Sequence, residues 1–482
     1  MNIRKAILLL SMFLISTPAW SSVFVKWSSS IVPPAQALGI SDLVVSWNEG
    51  ASPFVKQAHK QGYRVYIEVS LQQAPGAAEK GIELGLAGII LNVRQSERVG
   101  LENALQRLRS AHPKLRLLVL NSDGKQPQMR GSLVIRRHSV LEVSSPTSQP
   151  WIDTNLALVK MEQTSHPGQN PLYTFSWEPS DSGLQRHTPA TTDYALAVAE
   201  AGAFHADLIL DVDDALQKAL TEHDSKAWTL WNQVRSYAKF YPDPAELQLE
   251  AAANVAVVVD ELDPGDEVMN LLARHNIPFK VLRPADLKSE DIEGFDVALV
   301  FARPNRQVLE RISDLATHGK TVVLVDAQGS YPWQNGQSVR VNEHAVSYDV
   351  GSGKVLEFSE PVTDPETFAQ DVRRLVGKEH ALMSLWNGLT TIAVPYGERR
   401  GNVKVLEFVN YAEEPLPVQV QVKGSFASIQ YETPEHKCCE SLVAVKNNGF
   451  TEFVIPELRI AGRVYLSVAP AHASDSTGVS SH

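Results

Sequence analysis

Tyr63-Arg64-Val65-Tyr66-Ile67-Glu68 is an apolar, β-branched run closed by an acid, and Ser52-Pro53 ahead of it opens a helical segment through Val55, Ala58 and His59 that stops before Gly62. The same order of apolar run, polar end and helical periodicity recurs along the first half of the chain. The runs are VFVKW (23–27), LVVSW (43–47), AGIILN (87–92), LRLLVLN (115–121), one or both of LVIRR (133–137) and VLEVS (140–144), LYTFSWE (172–178) and ADLILD (206–211). Parallel strands that alternate with helices close into a barrel whose strand ends share one mouth. Eight is the natural count, and it predicts a (β/α)8 TIM barrel over residues 22–243.

A chain of 482 residues exceeds what one hydrophobic core supports, so two or three domains are expected, and 44% apolar content is ample for packing them. The formal net charge of −11, with no basic run to offset it locally, opposes attraction to nucleic acid or to an anionic membrane surface. Residues 1–21 read as a secretory signal peptide. Arg4 and Lys5 precede the apolar core AILLLSMFLI (6–15), and Ala19 and Ser21 stand three and one residues before a cut after Ser21. A secreted or periplasmic protein is expected, with no cysteine near the cut to carry a lipid anchor and no second apolar stretch long enough to span a bilayer.

The only cysteines, Cys438 and Cys439, are adjacent. In an exported protein they form either a vicinal disulfide or two thiols, and neither resembles a metal site. The fourteen histidines are scattered without metal-ligand spacing, so no metal and no cofactor is predicted.

Residues 100–109 carry Leu101, Leu105 and Leu108 at helical spacing. Residues 191–203 form another helix, with Thr191 or Thr192 as its cap. The aromatic-rich segment 226–241 ends at Pro242-Asp243-Pro244, which marks a domain boundary. A second α/β unit then begins, with NVAVVVD (254–260), PFKVL (278–282), FDVALVF (295–301) and KTVVLVD (320–326) separated by helices over 265–275 and 305–317. Continuous β-branched runs of this kind indicate a doubly wound, flavodoxin-like parallel sheet, placed within 244–385. No glycine-rich dinucleotide loop follows its first strand, where the sequence is Asp260-Glu261-Leu262-Asp263-Pro264-Gly265. Period-two alternation in VKVLEFVN (403–410), PVQVQVKG (417–424), ASIQYE (427–432), TEFVIP (451–456) and GRVYLSV (462–468) then predicts a small antiparallel β-sandwich over 386–470. The small, polar tail 471–482 is expected to be disordered.

Active sites of parallel barrels lie at the C-terminal ends of the strands, so the residues closing the runs are the candidates. The acids are Glu68, Glu142, Glu178 and Asp211, and the polar or aromatic neighbours include Trp27, Trp47, Asn92, Arg94, Asn121 and Trp177. Glycoside hydrolysis needs two carboxyl groups flanking one sugar, beside aromatic faces for its ring. Glu68 and Glu178, on nearly opposite runs and near Trp47 and Trp177, meet that requirement best, with Glu178 as nucleophile or base and Glu68 as acid. Glu142 and Asp211 stand in reserve. Asp213 and Asp214 suit the start of a helix, where their charge favours the dipole.

The order of barrel, amidotransferase-like α/β domain and sandwich resembles the three-domain glycoside hydrolases of the family 42 β-galactosidase type. The likeness covers the chain as architecture and is strongest in the last two domains, including Leu406-Glu407-Phe408-Val409-Asn410-Tyr411 and Gly424-Ser425-Phe426. It implies a carbohydrate substrate, an oligo- or polysaccharide, and a homo-oligomer formed through a middle domain of the trimerisation type. Those enzymes keep an Asn-Glu pair at the end of strand four, where this chain has Asn92-Val93, and a nucleophilic Glu on strand seven, which Glu178 matches. Amidotransferase chemistry is excluded, because it needs a cysteine in the middle domain and none is there. The sequence therefore reads as an exported glycoside hydrolase-like protein. The alternative is a catalytically inactive carbohydrate-binding or assembly protein on the same scaffold.

Overall fold

The computed structural model describes residues 23–120, 134–137, 140–143, 154–174, 189–241, 248–261, 265–284, 294–303, 305–398, 401–412 and 414–468. The signal segment and the tail lie outside these residues.

The first part is a closed parallel barrel. Its strands are β1 (Val23–Lys26), β2 (Asp42–Ser46), β3 (Arg64–Ser70), β4 (Gly88–Asn92), β5 (Arg116–Leu120), β8 (Leu172–Thr174) and β9 (Asp207–Asp211), with β9 pairing back onto β1. Helices α1 (Ala35–Leu38), α2 (Ser52–Lys60), α3 (Ala74–Leu84), α4 (Leu101–Ala111), α5 (Leu156–Ser165) and α6 (Thr191–Ala203) alternate with them, and α7 (Asp214–Thr221) and α8 (Ser225–Phe240) follow β9. Leu101, Leu105 and Leu108 are the buried face of α4. Asp213 caps α7 by accepting from the backbone N–H of Ala215 and Leu216 at 2.8 and 3.3 Å. At α6 no threonine caps; Asp193 reaches back instead to accept from the N–H of Ala190 at 2.7 Å.

The strand count differs from the expected eight. Among the described residues the barrel has seven strands, and β5 meets β8 directly through Leu120 and Leu172. The two segments expected to supply the sixth strand, β6 (Val134–Arg137) and β7 (Val140–Val143), pair antiparallel with each other outside the barrel. A barrel strand is buried on both faces, and Arg136-Arg137 would carry two charges into that setting.

The barrel interior is filled by Phe24, Val44, Tyr66, Ile90, Leu120, Leu172 and Ile209, one from each strand. Tyr66 needs space across the barrel, and Gly88 provides it. A Cβ there would lie 2.9 Å from the tyrosine ring and 2.5 Å from the carbonyl of Arg116. Beneath this layer Asp42 pairs with Arg64 and Asp207 with Arg116, so the N-terminal end is closed by charge pairs at strand starts.

The second sheet runs in the order β12 (Phe279–Leu282), β11 (Val255–Val258), β13 (Val297–Val300), β14 (Thr321–Leu324), β17 (Gly353–Phe358), β16 (Ala345–Val350), β15 (Ser338–Arg340). The first five are parallel and the last two antiparallel. Alternate strand residues go to opposite faces. Val255, Val257, Val297 and Leu299 join a core with α9 (Asp266–Arg274), α11 (Pro365–Val376) and the barrel helices, whereas Ala256, Val258, Ala298 and Val300 pack on α10 (Arg306–Thr317). Antiparallel pairing therefore begins inside this sheet, in β15 to β17, ahead of the sandwich predicted from residue 386.

The third part stacks a six-stranded sheet on a four-stranded one. The first has the order β10 (Glu250–Ala251), β19 (Thr391–Gly397), β20 (Val403–Asn410), β26 (Ala461–Ser467), β22 (Ser428–Thr433), β23 (His436–Ser441). The second has the order β18 (Met383–Trp386), β21 (Leu416–Lys423), β25 (Phe450–Leu458), β24 (Ala444–Asn447). β10 precedes the middle sheet in sequence yet pairs with β19, tying the sandwich to the segment that leaves the barrel. Tyr396 donates to the carbonyl of Ala203 at 2.7 Å and Tyr411 hydrogen-bonds Glu200, so α6 is buried between barrel and sandwich.

Candidate active site

Side chains two residues apart on a strand share a face. Stepping two residues from the apolar interior layer toward the C-terminal ends leads from Phe24 to Lys26, Val44 to Ser46, Tyr66 to Glu68, Ile90 to Asn92, Leu172 to Thr174 and Ile209 to Asp211. The interior turns polar at one level on six strands. That level is the mouth.

Three of these residues form a charged cluster. Lys26 Nζ lies 3.0 Å from Glu68 Oε2 and 3.7 Å from Asp211 Oδ2, so two carboxylates from β3 and β9 bracket the ammonium of β1. Their oxygens can be no farther apart than those two distances laid end to end. That limit falls within the carboxyl separations used for glycoside cleavage, about 5 to 9.5 Å. The Lys26–Glu68 contact is an ion pair whose geometry does not make a hydrogen bond at Oε2. Glu68 Oε1 accepts from Asn92 Nδ2 at 2.8 Å. Both oxygens of Glu68 thus face donors.

Asp211 is in a different electrostatic position. Burial raises its carboxyl above the ordinary aspartate range, Lys26 works the other way, and the charges of Glu68 and Asp214 raise it further. Burial also opposes the charge on Lys26, but Glu68 and Asp211 outweigh it and the lysine pKa is raised. The loop after β1 is fastened by Gln217, whose Oε1 accepts from the N–H of Ser28 and of Ser29 at 3.0 Å, and by Ser28 Oγ donating to Asp214 at 2.6 Å. These bonds fix the end of β1, and with it Lys26.

The other expected site residues divide three ways. Glu178, Asn121 and Trp177 lie outside the described residues. Glu142 is on β7, in the hairpin rather than at a barrel strand end. Trp27 and Trp47 each follow an interior-facing residue by one position and so point away from the barrel axis. Trp27 is 2% exposed in the core and donates from Nε1 to the carbonyl of Ile31 at 2.9 Å, which corrects the expectation of a sugar platform there. Trp47 is half-buried against the same core. Arg94 is exposed in the loop after β4. Lys26, absent from the sequence candidates, is the group that joins the two acids. Its signal was the lysine closing VFVK, one residue before the tryptophan that drew attention.

Among the described residues, the grouping of metal-type ligands is Glu432 with Cys438 and Cys439, whose ligand atoms lie within 4.8 Å of one another. The two sulfurs are joined as a disulfide. No helix among the described residues is long and apolar enough to cross a membrane.

No family model matches the chain, and no curated protein matches its sequence. Among solved structures, α-L-fucosidase isoenzyme 2 from Paenibacillus thiaminolyticus is similar over 94% of this chain and 100% of its own, with a TM-score of 0.58 and 11% identity. In fold the chain resembles a TIM-barrel glycoside hydrolase. The β-galactosidases of Rahnella sp. R3 and Bacillus circulans sp. alkalophilus superimpose with TM-scores of 0.48 and 0.44, each at 11% identity, over 88% and 90% of this chain and 95% and 99% of theirs.

Proposed function

We propose that this chain is an exported glycoside hydrolase whose reaction is carried by Glu68 and Asp211 at the barrel mouth. The observation that carries the reading is the convergence of these two acids, from β3 and β9, on Lys26 in the polar top layer of the barrel. Asp211, with its raised pKa, is the proton donor to the leaving oxygen. Glu68, whose two oxygens face the donors Asn92 and Lys26, acts as nucleophile or as the base that activates water. These roles invert the expected one for Glu68, because its partners are both donors. Glu178 remains a candidate on sequence grounds alone. The substrate is an oligo- or polysaccharide, a reading in line with the similarity in fold to an α-L-fucosidase, by its name an enzyme of carbohydrate.

Turnover of a panel of aryl glycosides by the wild-type chain tests the reading. A second reading is favoured by Lys26 itself, whose ammonium occupies the space between the carboxylates: a catalytically inactive carbohydrate-binding or assembly protein on the same scaffold. It requires no turnover of any glycoside by wild type.

The pH profile separates the roles. An acid catalyst must carry its proton, so kcat/KM falls as pH rises through the Asp211 pKa. Lys26 lowers that pKa, so Lys26→Met is expected to raise it and to move the alkaline limb of the kcat/KM profile to higher pH. A limb that stays in place, or moves down, removes Asp211 from the role of acid.

Export follows from residues 1–21. The protein recovered from the periplasm or medium of an expressing bacterium is expected to begin at Ser22, as read by N-terminal sequencing. A mature chain that retains Met1 would contradict it.

A further inference from the structure

Away from the barrel mouth, two adjoining concavities of about 570 and 790 Å³ lie between the middle sheet's helices and the sandwich. Each is of the size that holds a small ligand. Both are lined by Trp386 and Arg373, so the two lobes meet at those side chains. Trp386 ends the edge strand β18 and is 44% exposed, whereas the other tryptophans among the described residues are buried or half-buried. Opposite it stands α11, which presents Glu366, Gln370 and Arg373 at the i, i+4, i+7 spacing of one helical face.

This polar wall is organised. Glu366 Oε1 accepts from His275 Nε2 at 2.8 Å and from Gln370 Nε2 at 2.9 Å. Arg373 donates to the carbonyl of His275, and among the described residues no carboxylate lies within ion-pair distance of it. Arg274 is paired with Glu267 at 3.2 Å and Arg374 with Asp371, whereas Arg373, like Lys378 in the second lobe, has no carboxylate within ion-pair distance among the described residues. Burial lowers its pKa, and Glu366 works in the opposite direction.

An aromatic face on one side and planar polar groups on the other match a sugar ring, which is apolar on its C–H face and rimmed by hydroxyls. An arginine without a carboxylate partner adds a place for an anionic substituent. We propose that this groove is a second carbohydrate site, separate from the barrel mouth, that binds an acidic polysaccharide by stacking a ring on Trp386 and placing a sugar carboxylate at Arg373. The choice of carbohydrate as ligand class rests on the reading of the barrel mouth. The location does not.

The test is affinity electrophoresis of the full chain through native gels cast with polygalacturonate or with a neutral β-glucan, run beside aryl glycoside turnover. Wild type and Glu68→Gln should both be retarded by polygalacturonate and much less by the glucan. Trp386→Ala should lose about tenfold or more in affinity while hydrolysing aryl glycosides as wild type does. Arg373→Gln should lose the preference for the acidic polymer. Trp386→Ala retarded like wild type, equal retardation by both polymers, or no retardation of wild type in either gel would each overturn the groove assignment, the last leaving the barrel reading intact if aryl glycosides are turned over. Retardation that depends on Trp386 in a protein without turnover upholds the groove and removes the hydrolase reading.

Discussion

Glu68→Gln is expected to lower kcat/KM for aryl glycosides by about 10³-fold, equivalent to about 4 kcal/mol of transition-state stabilisation. The physical reason lies in the two partners of the side chain. Asn92 donates to one oxygen and the Lys26 ammonium faces the other, so the site is built for an acceptor at both positions. A glutamine has one acceptor and one donor. In either orientation its amide N–H₂ meets a donor, and the charge that would stabilise an oxocarbenium-like transition state is gone. The expected stability cost is about 1 to 3 kcal/mol for a buried polar mismatch, too little to unfold the chain at assay temperature, so thermal unfolding measured on the same preparation separates the two effects. Asp211→Asn should fall within a similar range, and the double variant should lose little more than either single one, because both act in one step. Unchanged turnover in Glu68→Gln would end its assignment as a catalytic residue.

The sequence carried the barrel well and the site unevenly, for reasons that can be traced to residues. Glu68, Asn92 and Asp211 close their apolar runs, and strand ends are where barrel chemistry gathers, so all three were legible. Lys26 was not. Its partnership with β3 and β9 depends on the stagger that sets Lys26 opposite Asp211 on one side and Val44 on the other, and no local pattern encodes that register.

Trp27 failed through parity. In VFVKW the alternate sets Val23-Val25-Trp27 and Phe24-Lys26 both begin apolar, so the run alone does not say whether Lys26 or Trp27 faces the axis, and a one-residue shift exchanges them. The hairpin of β6 and β7 failed through a count. Two short β-branched runs were expected to fill a slot in an eightfold series, although Arg136-Arg137 was a reason against a strand buried on both faces. The edge strand β10 was too short to read, two residues that find their partner in β19 far along the chain.

Arg463→Met is expected to destabilise the chain by about 3 to 5 kcal/mol, read as a lower urea midpoint of the sandwich. Arg463 and Glu407 stand directly opposite on β26 and β20 and are 2% and 1% exposed, with Arg463 Nε donating to Glu407 Oε1 at 2.6 Å. The guanidinium does more than neutralise one acid. It donates from Nη1 to Glu432 at 3.1 Å and to the carbonyl of Phe240 at 3.4 Å, and it lies 4.7 Å from the centre of the Phe240 ring and 5.7 Å from that of Tyr241. Phe240 ends α8, so one buried cation joins the sandwich to the last helix of the barrel at its negative dipole end. Methionine fills much of the volume but takes the guanidinium away from the buried Glu407, and the loss of that charge pairing in a desolvated place is the main cost. Removing both charges relieves it. The double variant Arg463→Met, Glu407→Met should therefore be more stable than Arg463→Met alone, and a double variant that is weaker still would show that packing at Phe240 and Tyr241, rather than charge, holds the two domains together.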